Sequence, residues 1–259
     1  MMAYYNEVDP YAAQWLRNLI EAGHIAPGIV DERSIEDVRP DDIRGFTQCH
    51  FFAGIGVWSL ALRRAGWRDD QSVWTGSCPC QPFSAAGKGN GFADERHLWP
   101  SWFHLITQCQ PDRIFGEQVA SKDADTWIDL VQTDLEAMGY AVGAAPFPAA
   151  GVGSPQVRDR LYWMADAHLS DGARQRPISI PMEPEQKTDR RGKFDCWQGV
   201  EFIRCTDGKS RPIKSSIQPL ATGNSRRVGR LRAYGGSINA QQAQIFIESY
   251  LTASTTRID

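Results

Sequence analysis

Two short stretches carry residue types that could do chemistry. In "FFAGIG", residues 51–56, an apolar run ends in Gly54 and Gly56. That pattern reads as a strand entering a glycine turn and then a helix, the opening of a nucleotide-binding α/β unit. Such a unit should supply an acidic residue about 20 positions later to hold a ribose. The chain instead reaches "GSCPCQPFS", with 80 − 56 = 24 positions separating Gly56 and Cys80. Cys80 falls just past a parallel strand, where α/β sheets place ligands. Two prolines stiffen the loop around Cys80 and Gln81, and the glycine-rich segment through Gly91 could move as a lid. A buried, inert thiol is the plainer alternative for Cys80. "GKGNG" lacks the spacing of a phosphate-binding P-loop. Cys78 and Cys80 are too close for a zinc pair, and Cys196 and Cys205 lack a partner set, so no metal is expected.

The elements that must position these residues follow from periodicity and punctuation. "AYYNEV" reads as a short strand. Asp9 can cap a helix that has Pro10 in its first turn, carries Tyr11, Trp15 and Leu19 at four-residue spacing, and ends at Gly23. "IAPGIVDERSIEDV" gives a turn with a weak strand or loop. "FTQCHFFAG" is a strand, "VWSLALRRAG" a helix closed by Gly66, and "SVWTGS" the strand before the cysteine loop. Helices are expected around Leu98–Cys109 and over "DADTWIDLVQTDLEAMG", with strands at "RIFGEQV", "YAVGAAPF" and "DRLYWMA". Strands alternating with helices of this length predict an α/β protein with a mainly parallel sheet. After Asp166 the pattern dissolves into Pro, Gly, Arg and Lys with short possible strands, and turns helical again near Ala240–Leu251.

At 259 residues and 42% hydrophobic, the chain can bury a full core. It has no apolar run of the ~20 residues that span a membrane, and its start is no signal peptide, so a cytoplasmic protein is expected. The net charge of −3 conceals an asymmetry. Residues 187–232 hold 12 Lys or Arg against 4 Asp or Glu, a local +8, which leaves −11 for the rest. A basic module on an acidic body suggests a phosphate-backbone partner, with a solvated basic loop as the alternative.

The cysteine loop also carries a resemblance. Pro79-Cys80-Gln81, Pro82-Phe83-Ser84, Ala86-Gly87, Gly91-Phe92, Asp94, Arg96 and Leu98 resemble the catalytic loop of the C5-cytosine DNA methyltransferases. "FGEQV" is similar to that family's E-N-V motif, with Glu117 kept and Gln118 in place of Asn. "GSPQVRDRLYWMA" is similar to its Q-x-R-x-R motif through Gln156, Arg158 and Arg160. "FFAGIG" resembles its first motif, in which Phe52 would stack on the adenine of S-adenosylmethionine; His50 stands where the family has Asp, and Val57 where it has a second glycine. "NEVDPYA" at 6–12 resembles the strand whose acid, here Glu7, takes the ribose hydroxyls, but it precedes the glycine turn. "GIVDERSI" at 28–35 resembles the third motif, with Ile29 at the acid's place and Asp31 the nearest substitute. The motif order is therefore a circular permutation: second, third, first, fourth, sixth, eighth. "RLRAYGGSINAQQAQIFIESYL" resembles the last motif through Gly235, Ser237 and Ile238, with Gly236 replacing Asn.

The resemblance implies a Rossmann-like S-adenosylmethionine-dependent methyltransferase fold plus a small basic target-recognition domain. The catalytic, cofactor-binding domain would comprise 1–165 and 229–259, and the recognition domain 166–228. It implies a DNA (cytosine-5-)-methyltransferase in which Cys80 attacks carbon 6 of a flipped-out cytosine, Glu117 binds N3 and N4, and Arg158 and Arg160 hold O2 and favour the thiolate. The cofactor would lie against Phe52, Ala53, Gly54, Ile55, Gly56, Glu7, Val8, Asp31, Pro79 and Ser237. DNA contacts would come from Gln81, Ser84, Gly87, Lys88, Arg96 and Gln118, with Ser84–His97 closing as a lid. The expected partner is double-stranded DNA, met by a monomer in a bacterial or phage-infected cytoplasm, in restriction-modification or its evasion. RNA cytosine-5 methylation and a catalytically inactive DNA-binding relative are the alternatives.

Overall fold

The computed structural model describes residues 2–78, 98–120, 122–154, 158–169, 200–204, 210–214 and 237–255. The chain divides into two compact units, Met1–Gln175 with Gly229–Asp259, and Arg176–Val228. In the first unit lie seven strands: β1 (Ala3–Asn6), β2 (Gly28–Asp31), β3 (Gln48–Phe51), β4 (Val73–Gly76), β5 (Arg113–Val119), β6 (Ala141–Pro148) and β7 (Asp159–Asp166). They form one sheet in the order β2-β1-β3-β4-β5-β7-β6. Every pairing from β2 through β5 is parallel, and β7 runs antiparallel to both β5 and β6. This is the mainly parallel α/β sheet that the alternating pattern predicts.

The described helices are α1 (Pro10–Glu21), α2 (Pro40–Ile43), α3 (Val57–Arg64), α4 (Trp99–Cys109), α5 (Lys122–Ala137) and α6 (Ala240–Thr255). The Asp9 carboxylate caps α1, accepting from the amides of Tyr11 at 2.9 Å and Ala12 at 3.1 Å. After α3, Gly66 adopts φ 84°, which an L side chain resists and which turns the chain toward β4. The weakly patterned 25–38 segment forms β2, an edge strand of four residues, and a 3-10 turn at Ile35–Asp37. A strand paired on one side only needs no long apolar run, which is why its sequence signal is faint. The single turn α2 was not expected, because four residues cannot display a helical period.

Strand side chains alternate between two faces. Tyr4, Cys49, Phe51, Trp74, Ile114 and Trp163 pack with α4 and α5. Val73, Phe115 and Tyr162 meet α3 and α6 on the other face, where Ala3 and Tyr5 pack with Leu16 of α1. Two strand glycines permit close approach of tryptophan rings. A Cβ at Gly76 would lie 2.5 Å from Trp102, and one at Gly116 would lie 2.1 Å from Trp163. Both rings are fully buried, so neither can yield easily. Gly116→Ala is therefore expected to destabilise the fold by about 3 kcal/mol, the upper range for overpacking; equilibrium urea unfolding measures this.

The second unit contains an antiparallel pair, β8 (Val200–Arg204) and β9 (Ser210–Lys214), in accord with the short strands expected there.

Candidate active site

The C-terminal ends of β1, β3 and β4 bring the first group of residues together. β3 runs into the turn 52–56, where Phe52, Gly54 and Gly56 take φ values of 51°, 54° and 77°. For Phe52 this left-handed backbone costs about 1–2 kcal/mol, and such strain collects at functional sites. Its ring stands edge-on to Trp102, with centroids 5.9 Å apart. The two glycines differ in role. A Cβ at Gly56 would press on Ile25 and Leu16 at 3.0 Å, whereas one at Gly54 would meet no atom within 4 Å. Gly56 thus permits close packing under the turn, and Gly54 leaves open space above it. Ala53, just before them, is buried, and Ile55, between them, is half-buried.

Glu7 leaves β1 beside this turn. Its Oε2 accepts from the Gly54 amide at 2.7 Å and its Oε1 from the Asp9 amide at 2.8 Å. Burial pushes the Glu7 carboxyl up from its ordinary range, against the pull of those two amides. Val8, the next residue, is 62% exposed. On β2, Ile29 pairs with Tyr4 and is exposed, while Asp31 pairs with Asn6. The Asp31 carboxylate accepts from Tyr4 Oη at 2.7 Å and from Arg33 Nη2 at 2.7 Å. Partial burial opposes its ionisation, but these bonds and the Arg33 amide hold it below the usual carboxylate range. His50 is buried, stacked on Tyr5 with centroids 4.9 Å apart, and its Nδ1 lies 2.8 Å from Thr75 Oγ1. Burial lowers its pKa to about 3, so the ring is neutral at neutral pH.

The second group surrounds Glu117 on β5. Only 7% of this residue is exposed. Arg160 Nε, from β7, lies 2.7 Å from Glu117 Oε1. Burial raises the Glu117 carboxyl, partly offset by the charges of Arg160 and Arg158 and by Ser77; the net displacement is upward. A carboxyl so placed holds or shares a proton more readily than a solvated one. Arg158 Nη2 donates to the Ser237 carbonyl at 2.8 Å, which joins the start of β7 to the segment before α6. Burial and the neighbouring Arg160 charge lower the Arg158 pKa.

Gln118 was expected at the DNA, but it is 3% exposed. Its Nε2 donates to the Cys78 carbonyl at 3.2 Å and its Oε1 accepts from the Val119 amide at 2.8 Å. Both ends of the amide hold backbone at the root of the cysteine loop. Pro79, Cys80, Gln81, Ser84, Gly87, Lys88, Arg96 and Gln156 lie outside the described residues. Sequence reasoning missed Ser77 and Trp58, whose indole Nε1 donates to Ser77 Oγ at 3.1 Å. The available signal was a hydroxyl placed three residues before Cys80, at the exit of a strand. Among the described residues, no group of three His, Cys, Asp or Glu side chains could hold a metal ion.

Comparison with known proteins gives the following. The sequence model of the C-5 cytosine-specific DNA methylase family matches residues 67–191, just under half of the chain. Type II methyltransferase M.AluI of Cellulosimicrobium cellulans is 32% identical over 166 residues, which cover 60% of this chain and 27% of the relative. Type II methyltransferase M.HhaI of Haemophilus parahaemolyticus is 31% identical over 97 residues, covering 36% of this chain and 30% of the relative. The chain thus matches under a third of the length of either relative. Among solved structures, the Spodoptera frugiperda DNMT2 E260A/E261A/K263A mutant aligns with a TM-score of 0.45 at 18% identity, over 68% of this chain and 45% of that one.

Proposed function

We propose, for a chain that belongs through residues 67–191 to the C-5 cytosine-specific DNA methylase family, that it transfers a methyl group from S-adenosylmethionine to carbon 5 of cytosine in DNA. The observation that carries this reading is the buried Glu117 carboxyl, paired with Arg160 at 2.7 Å, on the strand next to the one that leads into Cys80. Carbon 5 of cytosine is a poor nucleophile until a thiolate adds at carbon 6. Of the three cysteines in the matched segment, Cys80 is the one within the Pro-Cys-Gln stretch, and it needs cations to ionise below its ordinary pKa of about 8.5. In this reading Arg158 and Arg160 supply that field. Glu117, its carboxyl raised by burial, shares a proton with N3 as negative charge develops on the ring. Once carbon 5 carries the methyl group, loss of its proton to water re-forms the double bond and expels the Cys80 thiolate. Reaching a base in a duplex requires flipping it out, at a cost of about a few kcal/mol.

The cofactor fits the turn at the end of β3. Glu7 places a carboxylate beside a left-handed turn that is open above Gly54, as a ribose and an adenine require. Phe52, Ala53, Gly54, Ile55, Gly56, Glu7 and Val8 would hold it, with Asp31, Pro79 and Ser237 at the margins. When bound, S-adenosylmethionine supplies an electrophilic sulfonium methyl. Asp31 would first have to exchange its bonds to Tyr4 and Arg33.

A circularly permuted motif order is part of the same proposal. Its support is the sheet order, in which β1, carrying Glu7, lies beside β3, which feeds the glycine turn, although β1 comes first in the chain. Residues 166–228 would form the target-recognition domain, on the strength of the +8 charge within 187–232. No helix among the described residues is long and apolar enough to cross a membrane; a cytoplasmic monomer is the proposed state. Transfer of labelled methyl groups to matched DNA and RNA duplexes tests the substrate class. Incorporation into DNA alone is expected; incorporation into RNA alone would contradict the reading.

A further inference from the structure

We infer that Asn6 is a positioning residue for the cofactor site, tying the loop after β2 to the glycine turn after β3 and so fixing the two walls on either side of Glu7. In the sheet β1 lies between β2 and β3, so the residues that leave it stand between the loops that leave its neighbours. Asn6 is the last residue of β1 and is 3% exposed. Its backbone carbonyl accepts from the Ala53 amide, in the glycine turn, at 3.0 Å. Its side-chain Nδ2 donates to the Arg33 carbonyl at 2.8 Å and lies 3.4 Å from the Asp31 carbonyl. Two carbonyl oxygens at one end of the amide fix its orientation, because only the NH2 group can face them. One buried residue thus holds both loops, the turn through its main chain and the β2 loop through its side chain.

The neighbouring residues divide the work differently. The Glu7 carboxylate grips the Gly54 amide at 2.7 Å, while only its main-chain amide reaches the β2 side, at the Asp31 carbonyl. Tyr4 lies on the same face of β1 as Asn6, and its hydroxyl stops at the Asp31 carboxylate. Asn6 alone of the three reaches past Asp31 to Arg33, at the entrance to the 3-10 turn Ile35–Asp37. A ligand between two loops binds well only if their spacing is held to a fraction of an ångström, which is the work of buried side chains behind the contact residues. This role rests on the proposed cofactor site; the tether itself does not.

Two measurements on the full chain test this: calorimetric titration with S-adenosylhomocysteine, and amide hydrogen exchange without ligand. Asn6→Asp keeps the shape of the side chain but, ionised, has no proton to give and turns a carboxylate on two carbonyls. It should weaken binding about tenfold, as loss of one buried hydrogen bond does. Exchange at the Arg33 and Asp37 amides should quicken, while the Gly54 amide, held by Glu7, keeps its protection. Asn6→Ser, whose hydroxyl is too short to reach Arg33, should change both in the same direction, and it decides the matter should Asn6→Asp not fold. Unchanged affinity in a folded variant overturns the inference even if its urea midpoint falls, since Asn6 would then only support the fold. Unchanged exchange at Arg33 and Asp37 overturns it equally. A native chain that binds no S-adenosylhomocysteine, beside a variant with the faster exchange, would contradict the proposed cofactor site and leave the tether standing.

Discussion

Glutamine at position 117 is expected to lower methyl transfer by about 10²–10⁴-fold, the range for loss of a group that moves a proton in the transition state. The amide fills the same buried volume but cannot share a proton with the base, so the loss should fall on kcat more than on KM; steady-state kinetics on a DNA duplex separates the two. The same variant carries a pH signature. The folded-state carboxyl titrates above its ordinary range, chiefly because it is buried. The folded protein then binds more protons than the unfolded chain between those two values, and wild-type stability declines as pH rises through that interval. Glutamine has no such decline. The stability of Glu117→Gln relative to wild type should therefore climb with pH across that interval, as denaturant unfolding on either side of it would show.

Arg160→Ala should be the most damaging single change to stability at the site. The pair it breaks is well buried, with side chains 19% and 9% exposed and 2.7 Å between Nε and Oε1. Removing one member of such a pair typically costs about 3–5 kcal/mol, because the remaining charge is left desolvated. Arg158 stays close enough to act on the same carboxyl, and Glu117 can take up a proton, so the lower end of that range is expected. The urea midpoint should fall with the slope unchanged, as for a loss of stability without a change in the surface exposed. Methyl transfer should also fall, even at temperatures where the variant remains folded.

Local chemistry made much of this fold legible. Asp9 and Pro10 announce α1, Gly66 closes the turn after α3, and strand alternation separates Tyr4 from Tyr5 onto opposite faces. Each of these signals lies within a few residues of its effect. The contacts that complete the site do not. Arg160 and Glu117 are 43 positions apart and meet because β5 and β7 are neighbours in the sheet. No periodicity reveals which strands pair. Gln118 misled for a related reason: successive strand residues point to opposite faces, so a residue beside Glu117 faces away from it. Here that turns its amide to the Cys78 carbonyl. His50 shows another limit. It stands where the family has Asp, and its stack on Tyr5 and its bond to Thr75 are long-range contacts that no local pattern shows.

The proposed chemistry is methylation of cytosine in DNA with Cys80 as the transient nucleophile. Bisulfite sequencing of a plasmid from a methylation-free bacterial host expressing this chain, beside a Cys80→Ser control, tests it most directly. Protected cytosines in one sequence context are expected with the native chain, and complete conversion with the control. Complete conversion in both, with the native chain folded and expressed, or equal protection in both, would contradict it.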